Sequence, residues 1–189
     1  MGESIRCSLF RFLLRVGFFF LTVGRMAKLP EEKKPLTIDM GKANRLPPRA
    51  DELMRVVTRF EYALKETGYG VMRNGAVEAN WDKFANEVLK AEFLQRVRDK
   101  KIAPTILSNP PSRQFLGGST LDWERKVAPN SIQDFIGAVR RVRNNLVHGG
   151  KSGDPDADRN ASLVAEAIEV LFEALRSHDD LRFMFEGKW

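Results

Sequence analysis

The sequence holds one cysteine, Cys7, and two histidines, His148 and His178. A single thiol excludes a disulfide framework and a cysteine-rich zinc site, and it fits a reducing, cytoplasmic compartment. Two histidines far apart in the chain leave a histidine-based metal centre almost without ligands, so neither metal nor cofactor is expected. Long apolar runs are missing too. The most apolar stretch, Val16 to Val23, is far shorter than the ~20 residues that span a bilayer. There is no internal repeat, no low-complexity tract and no convincing set of strands. A strong charge of one sign is also lacking. The net charge is +6, but much of it sits at the start of the chain, where Arg6, Arg11, Arg15 and Arg25 face only Glu3. The rest is mildly basic, which is compatible with nucleic acid without demanding it.

What is present suits one folded domain. The chain has 189 residues, 43% of them hydrophobic, enough for a real core and too apolar for global disorder. Three segments differ in character. Residues 1–25 combine a basic start with a short apolar stretch. They are read as the product of a start site assigned too early, translation then beginning at Met26, with no membrane role. A signal-like or membrane segment and a packed extra helix are the alternatives. Either way they are expected to stay out of the core, because Arg11 and Arg15 interrupt the apolar face. Residues 26–48 form a polar, Pro-rich arm ending in Pro47-Pro48. Residues 49–189 carry the helical patterning.

Within that last segment, Leu53, Val56, Val57, Phe60, Ala63 and Leu64 recur at helical spacing until Gly68 and Gly70 stop them. A second helix is expected from Asn80 as N-cap, through Trp81, Phe84, Val88, Ala91, Leu94 and Val97. Residues 99–130 break the pattern with Pro104, Pro110, Pro111, Gly117, Gly118 and Pro129, and read as a long irregular insert. Ser131, with Asp134 three residues on, then opens a third helix that Gly149-Gly150 closes. A fourth starts near Asp156, and a tail follows whose Leu181, Phe183 and Phe185 are candidates to dock on the body. The sum is an all-α, four-helix bundle with an irregular insert before the third helix.

The third helix carries the chemistry. In Arg140-Arg141-Val142-Arg143-Asn144-Asn145-Leu146-Val147-His148-Gly149-Gly150-Lys151, the residues Arg141, Asn144, Asn145 and His148 fall at i, i+3, i+4 and i+7. Ile132, Ile136, Val139 and Leu146 form the opposite, core-facing stripe. Arginine, amide and imidazole together suit phosphodiester chemistry. Histidine moves a proton to or from a ribose or leaving oxygen, arginine stabilises charge on the phosphate, and asparagine orients either. The bland alternative is a solvated helix face ending in a histidine C-cap. Glu61, at the edge of the first stripe, is a candidate partner of a motif arginine or an ordinary solvated flank. Trp123, Arg125 and Lys126 in the insert are candidates to stack on and clamp a single strand, against ordinary loop packing.

The segment Arg143-Asn144-Asn145-Leu146-Val147-His148 resembles the hallmark of HEPN domains (higher eukaryotes and prokaryotes nucleotide-binding), an arginine followed by a polar residue and then, within a few residues, a histidine. The flanking run and the helix-one segment Arg59-Phe60-Glu61-Tyr62-Ala63-Leu64-Lys65 are similar to a subgroup common among prokaryotic defence proteins. The resemblance spans about residues 50–176. It implies a helical bundle that dimerises with two motif helices lining a shared cleft, and metal-independent RNA cleavage of a toxin or antiphage kind. Arg143 would engage the phosphate, Asn144 orient, and His148 transfer the proton. Arg140, Arg141, Asn145 and Lys151 would add RNA contacts, with Glu61 in support. The implied partners are RNA, a second copy of the chain, and an antitoxin or other defence-system protein. Other members are non-catalytic modules that bind a nucleotide, RNA or a protein. On a straight helix Arg143 lies ~140° from His148 and Arg141 nearly in register with it. The polar residue directly after it favours Arg143, and Arg141 is kept as a second phosphate contact.

Overall fold

The computed structural model describes residues 36–149, 151 and 154–188. The reading of residues 1–25, and the arm up to residue 35, lie outside these. Packing separates the chain at Thr37 and Ile38, and the account concerns Ile38 onward. Residues 38–49 form only turns and are nearly all exposed, as a Pro-rich arm should be.

Four long helical stretches form where the apolar spacing puts them. Helix α1 (Ala50–Glu66) buries Leu53, Val56, Val57, Phe60, Ala63 and Leu64. The second stretch has three parts: α2 (Trp81–Phe84), a π turn (Ala85–Leu89) and α3 (Lys90–Asp99). Asn80 caps it, its side chain accepting from the Lys83 N–H at 3.0 Å. Helix α5 (Ile132–Val147) starts at Ser131, whose hydroxyl accepts from the Asp134 N–H at 3.1 Å and donates to its carboxylate at 2.7 Å. Helix α6 (Ala157–Leu175) is the most buried. Helix α1 packs on α6, and α5 packs on α6 and on the π turn. Each large apolar side chain these faces bury contributes roughly 1.5–3 kcal/mol.

Among the described residues two short helices and two hairpins complete the fold, so the all-α expectation gives way there to a mostly helical body with two small antiparallel sheets. Helix α4 (Pro104–Ser108) lies inside the insert, with Pro104 in its first turn. Helix α7 (Asp179–Glu186) occupies the tail. It docks on α1 through Leu181, which is fully buried, and through Arg59, whose guanidinium donates to the Phe185 and Met184 carbonyls at 2.8 and 2.6 Å. Strands β1 (Gly70–Arg73) and β2 (Ala76–Ala79) pair around Asn74-Gly75. Both turn residues have positive φ, 49° and 78°, the conformation a two-residue hairpin turn demands. Strands β3 (Arg113–Gly117) and β4 (Thr120–Glu124) pair across the insert. Both pairs are almost wholly exposed. They form because their turns close locally, while the helices supply the core.

Two buried carboxylates tie α6 to the segments packed on it. Glu166 on α6 accepts the Thr105 and Ile106 N–H groups at 2.9 and 2.8 Å, capping α4 from outside. Glu173, 4% exposed, sits among Lys100 at 3.0 Å, Arg96 at 3.1 Å and Arg176 at 2.5 Å. Burial alone would raise the Glu173 carboxyl, but hydrogen bonds from Lys100 and Arg176 hold it below the ordinary 4.5. A folded-state pKa below the unfolded one contributes stability that is complete above the unfolded value and lost as pH falls through the folded one. The melting temperature of the wild type should therefore fall on acidification below about pH 4.5 more steeply than that of Glu173→Gln. Parallel melting curves across that window would show that the group contributes nothing.

Candidate active site

The polar residues of α5 divide by direction. At ~100° per residue, Arg143 and Arg140 lie on one flank of the helix, Arg141 and Asn145 on the other, and Asn144 and His148 between them. Each flank meets a different neighbour.

On the first flank, the Arg143 Nη2 donates to Glu61 Oε1 at 2.5 Å. The same oxygen accepts the Trp81 indole N–H at 3.1 Å. Trp81 is placed by its stack on Phe60, with centroids 5.2 Å apart and rings within 2° of parallel. The Arg140 guanidinium lies 5.9 Å over the Trp81 ring. Helix α1 thus offers a carboxylate, and the start of the second helical stretch an indole, that together fix one nitrogen of Arg143. The side chains of Arg143 and Glu61 remain 24% and 29% exposed; Arg143 Nε is buried without a partner, so only the outer end of the guanidinium can meet a ligand. Glu61 meets a motif arginine, the first of the two readings its sequence position allowed.

On the second flank, Arg141 and Asn145 are committed to the insert. Arg141 Nε donates to the Pro111 carbonyl at 3.3 Å and Asn145 Nδ2 to the Ser112 carbonyl at 3.0 Å. Arg159 of α6 binds the two preceding carbonyls, Asn109 and Pro110, both at 3.0 Å. Four consecutive carbonyls, in a stretch whose two prolines cannot donate, are thereby satisfied by side chains. Burial draws the Arg141 guanidinium below its ordinary value, and Asp134 and Glu124 work against that. Asn145 is 4% exposed. The expectation that Arg141, Asn144, Asn145 and His148 point outward together is corrected here: Asn145 faces inward and Arg141 is half-buried against the insert. The i, i+4 spacing of Arg141 and Asn145 serves to grip neighbouring carbonyls.

Between the flanks, Asn144 is half-buried and its amide makes no hydrogen bond among the described residues. His148 is the C-cap of α5, exposed, with its backbone N–H on the Asn144 carbonyl at 3.0 Å. Gly149 follows at φ 74°, turning the chain away and leaving the imidazole at the helix end. Lys151 ion-pairs with Asp154 at 2.7 Å and lies 5.4 Å over the Trp123 ring. Sequence reasoning placed Trp81 in the core and missed its indole bond to Glu61, which its position as the first residue after the Asn80 cap does not announce.

No cluster of three metal-ligating side chains occurs among the described residues. Among them, no helix is long and apolar enough to cross a membrane. No family model matches the chain, and no curated protein or solved structure is similar to it.

Proposed function

We propose that the protein is a metal-independent endoribonuclease of the toxin or antiphage-defence type, a HEPN-like domain acting in the cytoplasm. The observation that carries this reading is an exposed imidazole at the end of α5, five residues beyond an arginine pre-positioned by Glu61, which Trp81 holds in turn. In the proposed step His148 takes the proton of a ribose 2′-hydroxyl. The 2′-oxygen then attacks the adjacent phosphorus, the 5′-oxygen leaves and takes up a proton, and a 2′,3′-cyclic phosphate results. Arg143 stabilises the charge that grows on the phosphate, and Asn144 orients the imidazole or the phosphate. One chain offers the site one histidine. A two-fold pair of chains would offer two, one for each proton transfer, and this is why a homodimer belongs to the proposal.

The test of the site is Arg143. Replacing it with alanine should cost ~10²–10³ in the cleavage rate, the usual worth of a charge-stabilising donor. Arg143→Lys should not restore it, since an ammonium cannot keep the bond to Glu61 and still present a planar fork. Stability should change little, because the pair is partly exposed. Full activity in Arg143→Lys would remove the arginine from the mechanism.

One feature favours a second reading. Glu61 already neutralises Arg143, which suits a non-catalytic module that binds a nucleotide, RNA or a partner protein such as an antitoxin. Tight RNA binding without cleavage, in metal-free buffer or with added divalent cations, would select it.

A further inference from the structure

Trp123 has no role in the proposed chemistry, and its environment is unusual for an indole. It lies on β4 opposite Gln114 and keeps 38% of its surface exposed, on a hairpin whose Leu116 and Leu121, also paired across the strands, are 73% and 58% exposed. The ring is held at the surface, with the Lys151 ammonium 5.4 Å from its centroid. Lys151 comes three residues after His148, and the root of the hairpin is gripped by Arg141 and Asn145 of the motif helix. An exposed aromatic is therefore tethered from two directions to the end of α5.

The charges around it favour a polyanion. Arg125 follows the hairpin directly and is exposed with no ion pair among the described residues, while Lys126 is held by Glu124 and Lys151, on the ring, by Asp154 at 2.7 Å. Glu124, the nearest carboxylate on β4, is already bound by Lys126 at 2.7 Å and approached by Arg113 at 3.9 Å. Asp122, Glu124 and Arg113 project from the opposite face of the hairpin, with Phe115.

We propose that the β3–β4 hairpin is a base-stacking arm, on which Trp123 takes an unpaired base of a single-stranded RNA while Arg125, with Lys126 exchanging Glu124 for a phosphate, holds the flanking backbone. This rests on the reading of the chain as a ribonuclease and names its substrate class, single strands or unpaired loops. Stacking tolerates any base because every base has a π-face, and it rejects a duplex because paired bases already stack on each other.

The test is the affinity of the full chain carrying His148→Ala for a dye-labelled, mixed-sequence single-stranded RNA, read by fluorescence anisotropy. Adding Trp123→Ala should weaken binding about tenfold or more, the worth of one base–aromatic stack. Adding Trp123→Phe should recover most of the affinity, and a duplex of the same length should bind all three proteins alike. The proposal is overturned by unchanged affinity in Trp123→Ala, by equal losses for duplex and single strand, by Trp123→Phe as weak as Trp123→Ala, or by no binding at all. Binding does not require cutting, so the two ideas fail separately. An uncut RNA that still needs Trp123 sinks only the nuclease reading, and a cut RNA indifferent to Trp123 sinks only the arm. Trp123 is largely outside the core, and matching far-ultraviolet spectra would show that its variants fold.

Discussion

His148→Ala should reduce RNA cleavage by ~10²–10⁴-fold, the usual contribution of a general acid or base, with EDTA present throughout. The variant should melt with the wild type. His148 is exposed, its imidazole makes no hydrogen bond among the described residues, and its backbone bond to Asn144 survives the substitution. Loss of cleavage with the fold intact separates a chemical role from a capping one. Products should carry a 2′,3′-cyclic phosphate or the monophosphate from its hydrolysis, and DNA of the same sequence should survive, since it lacks the attacking hydroxyl. An activity that cuts DNA, needs added divalent metal, or persists in His148→Ala would defeat the mechanism whatever the fold.

Glu166→Ala, on α6, should loosen the insert more than any other single change, costing about 3–5 kcal/mol. The carboxylate accepts two backbone N–H groups at the start of α4, at 2.9 and 2.8 Å. Hydrogen bonds to a charged group contribute roughly 1.5–3 kcal/mol each. Ala103, the residue before that helix, provides no side-chain cap of its own. Ile106 is fully buried, so its N–H would be left without water. For a chain of this size the loss corresponds to a fall of about 10 °C or more in melting temperature. Glu166→Gln should recover about half, because an amide keeps one acceptor. A shift of only one or two degrees would mean that α4 is capped from elsewhere. Cleavage should suffer as well, since α4 leads directly into the four carbonyls that Arg159, Arg141 and Asn145 hold.

The long helices were legible because each buries one face, and burial imposes a period on the sequence. Asn80 and Ser131 were legible as caps because hydroxyl and amide side chains at those points have one obvious use. The hairpins escaped because nothing buries them: Met72 and Val77 pair at 66% and 53% exposure, so no inside-outside alternation marks the strands. Asn74-Gly75 is a hairpin-turn signal, but Gly68 and Gly70 just upstream equally mark the end of a helix. The proline-rich insert looked irregular because its order comes from side chains elsewhere in the chain. The ion pair of Glu61 with Arg143 spans 82 residues, and no local spacing encodes such a contact. Glu61 was singled out by its place at the edge of a stripe and by the resemblance.

The grip of Arg141 and Asn145 on Pro111 and Ser112 bears on how an alanine scan of this chain should be interpreted. Four polar positions clustered on one face, Arg141, Asn144, Asn145 and His148, invite the inference that each loss of activity marks a chemical participant. Two of the four are mortar between a helix and a proline-rich segment. Their removal would lower turnover by letting the insert drift, and the defect would deepen on warming and ease with a stabilising co-solvent. Losses at Asn144 or His148 would respond to neither. Temperature is then a sorting tool for this motif: positions that fail more as the protein warms are masonry, and those that fail equally at every temperature touch the reaction.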